Sequence, residues 1–404
     1  MRSTEAHGML AAHDTGLPGL RALLDDTVLT ERLGQPVTRS YLRYKPGTSA
    51  ISLVDVGGRA AIAHAWGGAG PEKRAKALLH VATEDVLLDD PARGLLVVDA
   101  MADRRLTALQ RLVRSERLGP WLARLSHEVP VDATPVTLAH KPARRWVGRV
   151  PLASTDRQVV LRAYGRREYD AALAAHGLLG TVDAVRLPRV LGSHRHGLIA
   201  LEHLPGSVLD ERVHAAALRR LGACLGGLHA SAPVREIDVA GVTADPVDRL
   251  APALGGLPQE VRAVAETAQR ALRAGPGAVI HGDFSLDQVV ADGHSLGIID
   301  LDRVRLGNPL DDIASLLAAA ASTALPEGGP GGATRLMDRL RDPLLAGHAA
   351  TWVAGYTDDL GPRTALALLS RAGEPFRSGL PDWPRVTSDL VLLAGTLASQ
   401  QVAA

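Results

Sequence analysis

Apolar positions change their spacing several times along this chain, and each change marks an element. Between residues 17 and 34, Leu20, Leu23, Leu24, Val28 and Leu29 fall on one helical face and predict a short helix. From Ser40 to Trp66 the spacing becomes that of strands: Tyr41 to Gly47, Ile51 to Val56, a Gly57-Gly58 turn, and Ala60 to Trp66, with a helix starting at Glu72. The same order returns about a hundred residues later. Val136 to Pro142 is followed by Trp146 to Leu152, a turn at Ser154-Thr155-Asp156, a strand from Gln158 to Tyr164 and a helix from about Glu168. Lys45-Pro46 and Lys141-Pro142 stand 96 positions apart, and Ala63-His64-Ala65-Trp66 and Leu161-Arg162-Ala163-Tyr164 stand 98 apart. Two strand-turn-strand-helix units at a nearly constant offset read as an internal duplication.

Beyond the second unit, Arg189 to Leu191 and Gly197 to Leu201 read as strands, the latter closing in Glu202-His203-Leu204-Pro205-Gly206. Val213 to Ala230 is an amphipathic helix with Leu218, Leu221, Leu225 and Leu228 on one stripe and Gly222, Gly226 and Gly227 permitting close approach. His214 and His229 read as capping or surface residues of that helix. A further helix covers Glu260 to Ala274. Thr323 to Thr334 is rich in glycine and proline and predicts a mobile surface loop. Helices follow near 335 to 355, 362 to 371, and from 386 onward.

The candidate chemistry lies between two short apolar strands, Ala278-Val279-Ile280 and Gly297-Ile298-Ile299. The first runs into His281-Gly282-Asp283-Phe284-Ser285-Leu286-Asp287-Gln288, and the second delivers Asp300 at its end. Phosphoryl transfer needs a carboxylate beside the attacking hydroxyl and oxygen ligands that hold magnesium against a nucleotide's phosphates. Asp283 suits the first task, and Gln288 and Asp300 suit the second. Asp302 is open between a further ligand and a partner for Arg303 or Arg305.

This stretch resembles the aminoglycoside phosphotransferase family, whose signature is His-Gly-Asp, four residues, Asn, and then a strand ending in Asp. Gln288 stands where the signature has Asn, and keeps a side-chain carbonyl oxygen. The resemblance implies an α+β, protein-kinase-like fold of two lobes, a small β-rich N-lobe and a helical C-lobe. An N-terminal cap duplicating part of the N-lobe, similar to caps in the maltokinase and glucosamine-kinase branches, is expected over 1–132, with the N-lobe over 133–204 and the C-lobe over 205–404. ATP and Mg2+ are the implied cofactors.

Arg162 matches the family's phosphate-binding lysine and keeps its charge, although guanidinium and ammonium groups differ in a tight site. The alternative for Arg162 is an edge-strand arginine facing water. Glu168 matches the glutamate that orients that cation. Lys141, with Arg144 and Arg145, lies in a loop that either clamps phosphates or is a solvated charge cluster. Glu202 and Leu204 match the inter-lobe linker, whose backbone carbonyl and amide pair with adenine. Asp312 is expected to cap the next helix, and Asp358, Asp359, Glu374 and Asp382 are candidates for an acceptor site. Trp383 is open between stacking on a sugar face and, flanked by prolines, the commoner role of a packing wedge.

The expected reaction is transfer of a phosphoryl group to a hydroxyl of a sugar, amino sugar or aminoglycoside-like acceptor. The rival reading is a pseudokinase that binds nucleotide and regulates or scaffolds. Forty-five basic against 44 acidic residues leave no footprint for nucleic acid or an anionic membrane, and no protein partner is expected. One cysteine, Cys224, excludes an internal disulfide and a multi-cysteine metal site. The first residues lack the apolar core of a signal peptide, so a cytoplasmic protein is expected.

Overall fold

The strand patterns at 37–66 and 136–164 each grow into a five-stranded antiparallel sheet in the computed structural model. The structure describes residues 2–68, 70–126, 134–152, 157–179, 185–231, 235–237, 245–354, 356 and 358–399. The expected turn at Ser154-Thr155-Asp156 lies outside these. The fold is protein-kinase-like: a β-sheet N-lobe, a helical C-terminal part, and an additional N-terminal sheet. By contacts the chain divides into two units: Met1–Asp170 with Arg189–His203 and Pro375–Pro384, and Ala171–Pro188 with Leu204–Glu374 and Arg385–Ala404.

The first unit opens with α1 (Ser3–His13), α2 (Leu20–Leu24) and α3 (Asp26–Leu33). Two helices stand where one was expected over 17–34, because Asp25 is extended and its carboxylate accepts from Thr27 N, starting α3 afresh. The N-terminal sheet contains β1 (Val37–Lys45), β2 (Ser49–Val56), β3 (Arg59–Trp66), β4 (Val86–Asp90) and β5 (Leu95–Asp99), with α4 (Gly70–Leu78) after its third strand. After α5 (Leu118–Ser126) come β6 (Val136–Lys141), β7 (Arg145–Pro151), β8 (Gln158–Tyr164), α6 (Arg166–Leu178), β9 (Val190–His194) and β10 (Leu198–Glu202).

The strand orders are β1-β2-β3-β5-β4 and β6-β7-β8-β10-β9, the same topology twice. The agreement extends to a bulge. Ser40 on β1 and Leu138 on β6, 98 positions apart, are each the unpaired residue opposite a continuous partner strand. β4 and β5 were not foreseen, since Leu95 to Val98 is a continuous apolar run: β5 lies between β3 and β4 and is buried on both faces, so it does not alternate.

The second unit holds β11 (Ser207–Val208), α7 (Ala215–His229), β12 (Arg235–Ile237), α8 (Asp245–Asp248), α9 (Ala251–Leu254), α10 (Leu257–Ala271) and β13 (Gly275–Ile280). It continues with β14 (Val289–Asp292), β15 (Ser295–Ile298), β16 (Arg305–Gly307), α11 (Leu310–Ala349) and α12 (Leu360–Arg371), and α13 (Glu374–Arg377) and α14 (Trp383–Ser399) close the chain's regular structure. Two small sheets, β11-β14-β15 and β12-β13-β16, flank the loop that carries Asp283. α7 meets α11 main chain to main chain: a Cβ on Gly222 would lie 2.1 Å from Leu344 O, and one on Gly347 1.9 Å from Arg219 O.

The mobile loop expected over Thr323 to Thr334 is instead helix. α11 passes through it and breaks only at Gly329, whose φ of 58° and ψ of −172° are non-helical. Pro330 then opens the following helical segment, where a missing N–H is harmless, and Leu325 and Ala333 bury one face. Trp383 is fully buried against Phe376 and His7, which makes it the packing wedge. Among the described residues no helix is long and apolar enough to cross a membrane.

Candidate active site

β13 ends at Ile280, and the following loop is held from beneath by a carboxylate. Asp312, fully buried, accepts from His281 N at 2.7 Å through Oδ2 and from Gly282 N at 2.8 Å through Oδ1. Asp312 was expected to cap α11; that helix starts two residues earlier, after Pro309, and the carboxylate is spent on the loop. Burial alone would raise its pKa, but hydrogen bonds from His229 and the Gly282 amide outweigh burial and hold it below the ordinary carboxylate value. Gly282 takes φ 82°, and a Cβ there would meet Arg303 O at 2.4 Å, so this turn admits only glycine.

His281 ties the loop to the strand that carries Asp300. Its Nε2 donates to Ile299 O at 2.9 Å, and Ile299 N donates to Gln288 O at 2.9 Å. Ile299 is therefore fixed on both sides by the loop, and the side chain of His281 with the backbones of positions 288 and 299 forms one hydrogen-bonded frame. Asp300 follows with φ 65° and ψ 48°, one of two non-glycine residues at positive φ among those described. A left-handed aspartate costs of order 1–2 kcal/mol, and such outliers collect at functional sites.

Asp283 projects from this frame with its side chain 40% exposed. Oδ2 lies 3.5 Å from Arg303 Nη1 and Oδ1 3.4 Å from Arg371 Nη2, while Arg371 Nη1 also reaches Glu374 at 3.2 Å. Gln288 closes its own turn: its Oε1 accepts from Ser285 N at 3.1 Å in a capping box. A carbonyl oxygen has two lone pairs, so one remains. Gln288 and Asp300 thus offer hard oxygen donors of the kind magnesium takes, and the donor set fits that ion. Among the described residues no group of three or more His, Cys, Asp or Glu forms a metal cluster.

The remaining candidates are distributed as follows. Arg162 is buried in the middle of β8, opposite Val147 and Ile199, and β8 is an inner strand; the edge-strand alternative is excluded. Lys141 is exposed at the end of β6, facing Arg145 across the turn. Glu168 is exposed in the first turn of α6, its carboxylate folded back over Gly165. Glu202 ends β10, with its carboxylate accepting from Arg189 Nε at 2.8 Å. Leu204, two residues on, is buried with its side chain over Gly297. Asp359, an acceptor-site candidate, has a structural duty instead: fully buried, it accepts from Arg273 N and Arg363 Nη2, both at 2.8 Å.

A buried chain of hydrogen bonds extends behind the loop. His229 Nε2 lies 3.0 Å from Asp312 Oδ2, His229 Nδ1 lies 2.7 Å from His348 Nε2, and His348 Nδ1 lies 2.6 Å from Tyr356 Oη. A carboxylate only accepts, which settles every proton in neutral rings: Tyr356 donates to His348, His348 to His229, and His229 to Asp312. Burial pushes the His348 imidazole down to about 3, consistent with a neutral ring. His229 is thus a core group rather than a surface residue. The signal was its spacing, since positions 218, 222, 225 and 229 share the buried stripe of α7.

The family model for the phosphotransferase enzyme family (APH) matches residues 128–352, more than half of the chain. No curated protein sequence matches it. Among solved structures, a thermostable mutant of aminoglycoside phosphotransferase APH(4)-Ia in its apo form aligns at 13% identity and TM-score 0.47, covering 69% of this chain and 98% of that one. Choline kinase from Cryptosporidium parvum Iowa II aligns at 10% identity and TM-score 0.48, covering 67% and 90%. A glucosamine kinase in complex with glucosamine, ADP and inorganic phosphate aligns at 16% identity and TM-score 0.42, covering 88% and 93%.

Proposed function

Because the chain belongs to the phosphotransferase enzyme family, we propose that it is a small-molecule kinase that moves the γ-phosphoryl group of ATP to a hydroxyl of a sugar, amino sugar or aminoglycoside-like acceptor. The observation that carries this reading is the hydrogen-bonded frame of His281, Gln288 and Ile299, which fixes the segment bearing Asp283 relative to the strand end bearing Asp300.

In this reading Asp283 orients the acceptor hydroxyl and takes its proton as the new O–P bond forms and the bond from the γ-phosphorus to the ADP oxygen breaks. Arg371, braced by Glu374, holds Oδ1 of Asp283 and restricts its rotation. Gln288 and Asp300 would hold Mg2+, which when bound neutralises charge on the phosphates. Arg162, with Lys141, would add positive charge for the nucleotide, Glu168 would serve to orient that cation, and the backbone of Glu202 and Leu204 would recognise adenine. Turnover of a loose transition state depends mostly on placement and charge, which these groups supply.

A second reading, a nucleotide-binding pseudokinase, draws support from Gln288, whose Oε1 is already tied to Ser285 N. Phosphorus NMR of the protein with Mg-ATP and a panel of sugars, amino sugars and aminoglycosides separates the two. A new phosphomonoester resonance with stoichiometric ADP is expected. ATP binding without consumption across the panel would replace the kinase by the pseudokinase.

A further inference from the structure

The first unit contains a cavity of about 40 Å3. Its floor is the inner face of the N-terminal sheet, where Ile51, Ile62, Trp66, Leu96 and Val98 pack under α4. Its rim is different in character. Asp103, Arg104 and Arg105 line it, His64 stacks on Trp66 within it at 3.8 Å between ring centres, and Ala143, from the turn between β6 and β7, closes one side.

The charges at this rim do not balance. Arg43 and Arg104 are partly buried, and burial is the main cause that lowers the pKa of each. Like charge pushes the same way, on Arg43 from Arg144 and Arg105 and on Arg104 from Arg105, against the raising influence of Tyr41 on Arg43 and of Asp103 on both. None of the guanidinium groups of Arg43, Arg104, Arg105 and Arg144 makes a hydrogen bond or ion pair among the described residues. The nearby acid, Asp103, is already committed: it accepts from Ala143 N at 2.6 Å and Arg105 N at 3.0 Å and lies 3.3 Å from His140 Nε2. His64 cannot add to the positive charge, because burial and then Arg104 push it down to about 3. Other arginines of this chain have partners: the exposed Arg114 is forked onto Asp85, and the buried Arg363 reaches Asp311 and Asp359.

Leaving two guanidinium groups, those of Arg43 and Arg104, partly desolvated beside the like charges of the exposed Arg105 and Arg144 is unfavourable unless something anionic joins them. We propose that this cavity binds a small organic anion, its short apolar end seated over Trp66 and its anionic head met by Arg104 and Arg105 of the lining, with Arg43 adding charge from behind them. The space suits a tail of a few heavy atoms, since one water needs roughly 10–15 Å3 of such volume. A carboxylate and a phosphate monoester share this chemistry. The bound head lies beside Asp103, which holds the amide of Ala143, so occupancy reaches the turn that also carries Lys141 and Arg144.

Calorimetric titration of the full chain without nucleotide tests this, with butyrate, butyl phosphate, inorganic phosphate and n-butanol as probes. One equivalent of butyrate or butyl phosphate is expected to bind, whichever binds tighter naming the head group, with n-butanol inert and inorganic phosphate weaker. Arg43→Gln and Arg104→Gln, which relieve repulsion and should melt no lower than wild type, are each expected to weaken binding about tenfold or more, the scale of one lost charge-assisted bond. Mg-ATP at saturation should leave the anion bound. No binding of either organic anion, wild-type binding in both variants, or displacement by Mg-ATP would each overturn the proposal. The readout is binding without turnover, so it stands or fails separately from phosphotransfer.

Discussion

Asp312→Asn exchanges one oxygen for an amide nitrogen and removes an acceptor that nothing nearby replaces. The carboxylate takes three donors, His281 N and His229 Nε2 on one oxygen and Gly282 N on the other. With its oxygen toward His281 and His229, asparagine turns its own N–H groups on the amide of Gly282. Reversed, it confronts two donors. Flipping the proton pattern along His229 and His348 would satisfy the first histidine but leaves the two backbone amides still needing two acceptors. The cheaper orientation loses one hydrogen bond to a charged group, roughly 1.5–3 kcal/mol, and weakens two others by about 1 kcal/mol each on becoming neutral. The total is about 3–5 kcal/mol, the scale for breaking a buried charged network. The deficit falls on the loop itself. A local loss of about 3 kcal/mol raises the opening frequency of the amides at 281 and 282 by about 150-fold. Native-state hydrogen exchange should show that loss of protection there, with strand β8 unchanged. Wild-type protection at His281 and Gly282 in the variant would refute Asp312 as the loop's anchor.

The opposite end of the same chain should be inexpensive: Tyr356→Phe removes one neutral donor from a 40% exposed residue, costing about 0.5–1.5 kcal/mol in urea unfolding and leaving kcat within about twofold. A larger loss of kcat would show that Tyr356 does more than donate to His348. Gly282→Ala combines a left-handed φ with a 2.4 Å approach to Arg303 O, and is expected to destabilise by about 2 kcal/mol or more and to lower kcat at least about tenfold; equal activity would contradict the tight turn. Burial pushes His64 and His348 to about 3 and His7 to about 4, so the folded chain keeps them neutral while the unfolded chain protonates them below about 6.5. Their contribution is intact above that pH and fades as pH falls toward 4, by up to about 1.4 kcal/mol per pH unit for each ring; urea midpoints at pH 7 and 5 measure it, and equal midpoints would rule it out. Arg371→Met frees Oδ1 of Asp283 and should reduce kcat with little change in the KM for ATP, whereas a rise in that KM alone would assign Arg371 to nucleotide binding.

The parts of this molecule legible in its sequence are those that local spacing encodes. The offset of 96 to 98 residues announced a repeated unit, and the two sheets share strand order and even the bulge at Ser40 and Leu138. β4 and β5 stayed hidden because an inner strand buried on both faces loses its alternation, as Leu95 to Val98 does. Thr323 to Thr334 misled because glycine and proline were weighed as breakers one by one. Only Gly329 leaves helical geometry, and Pro330 sits where a new helical segment tolerates it. At the candidate site, the loop and strand bearing Asp283, Gln288 and Asp300 could be located from spacing alone. The groups that hold it could not: Asp312 is 31 positions from His281, His348 is 119 from His229, and Arg371 is 88 from Asp283. Such contacts are set by how helices pack, and a linear pattern carries no record of them. Asp312 was read as a cap for the same reason, since an aspartate at a helix start has an obvious local duty and a less obvious distant one.

In the proposed reaction Asp283 takes the proton of the acceptor hydroxyl and Asp300 serves the metal-bound phosphates. Single-turnover transfer from radiolabelled Mg-ATP to an accepted sugar, run beside equilibrium ATP binding for wild type, Asp283→Asn and Asp300→Ala, tests it most directly. Asp283→Asn is expected to bind Mg-ATP within about twofold of wild type and to transfer about 100-fold or more slowly, the range of lost general-base catalysis, and Asp300→Ala is expected to transfer nothing. Transfer by Asp283→Asn at the wild-type rate would contradict it.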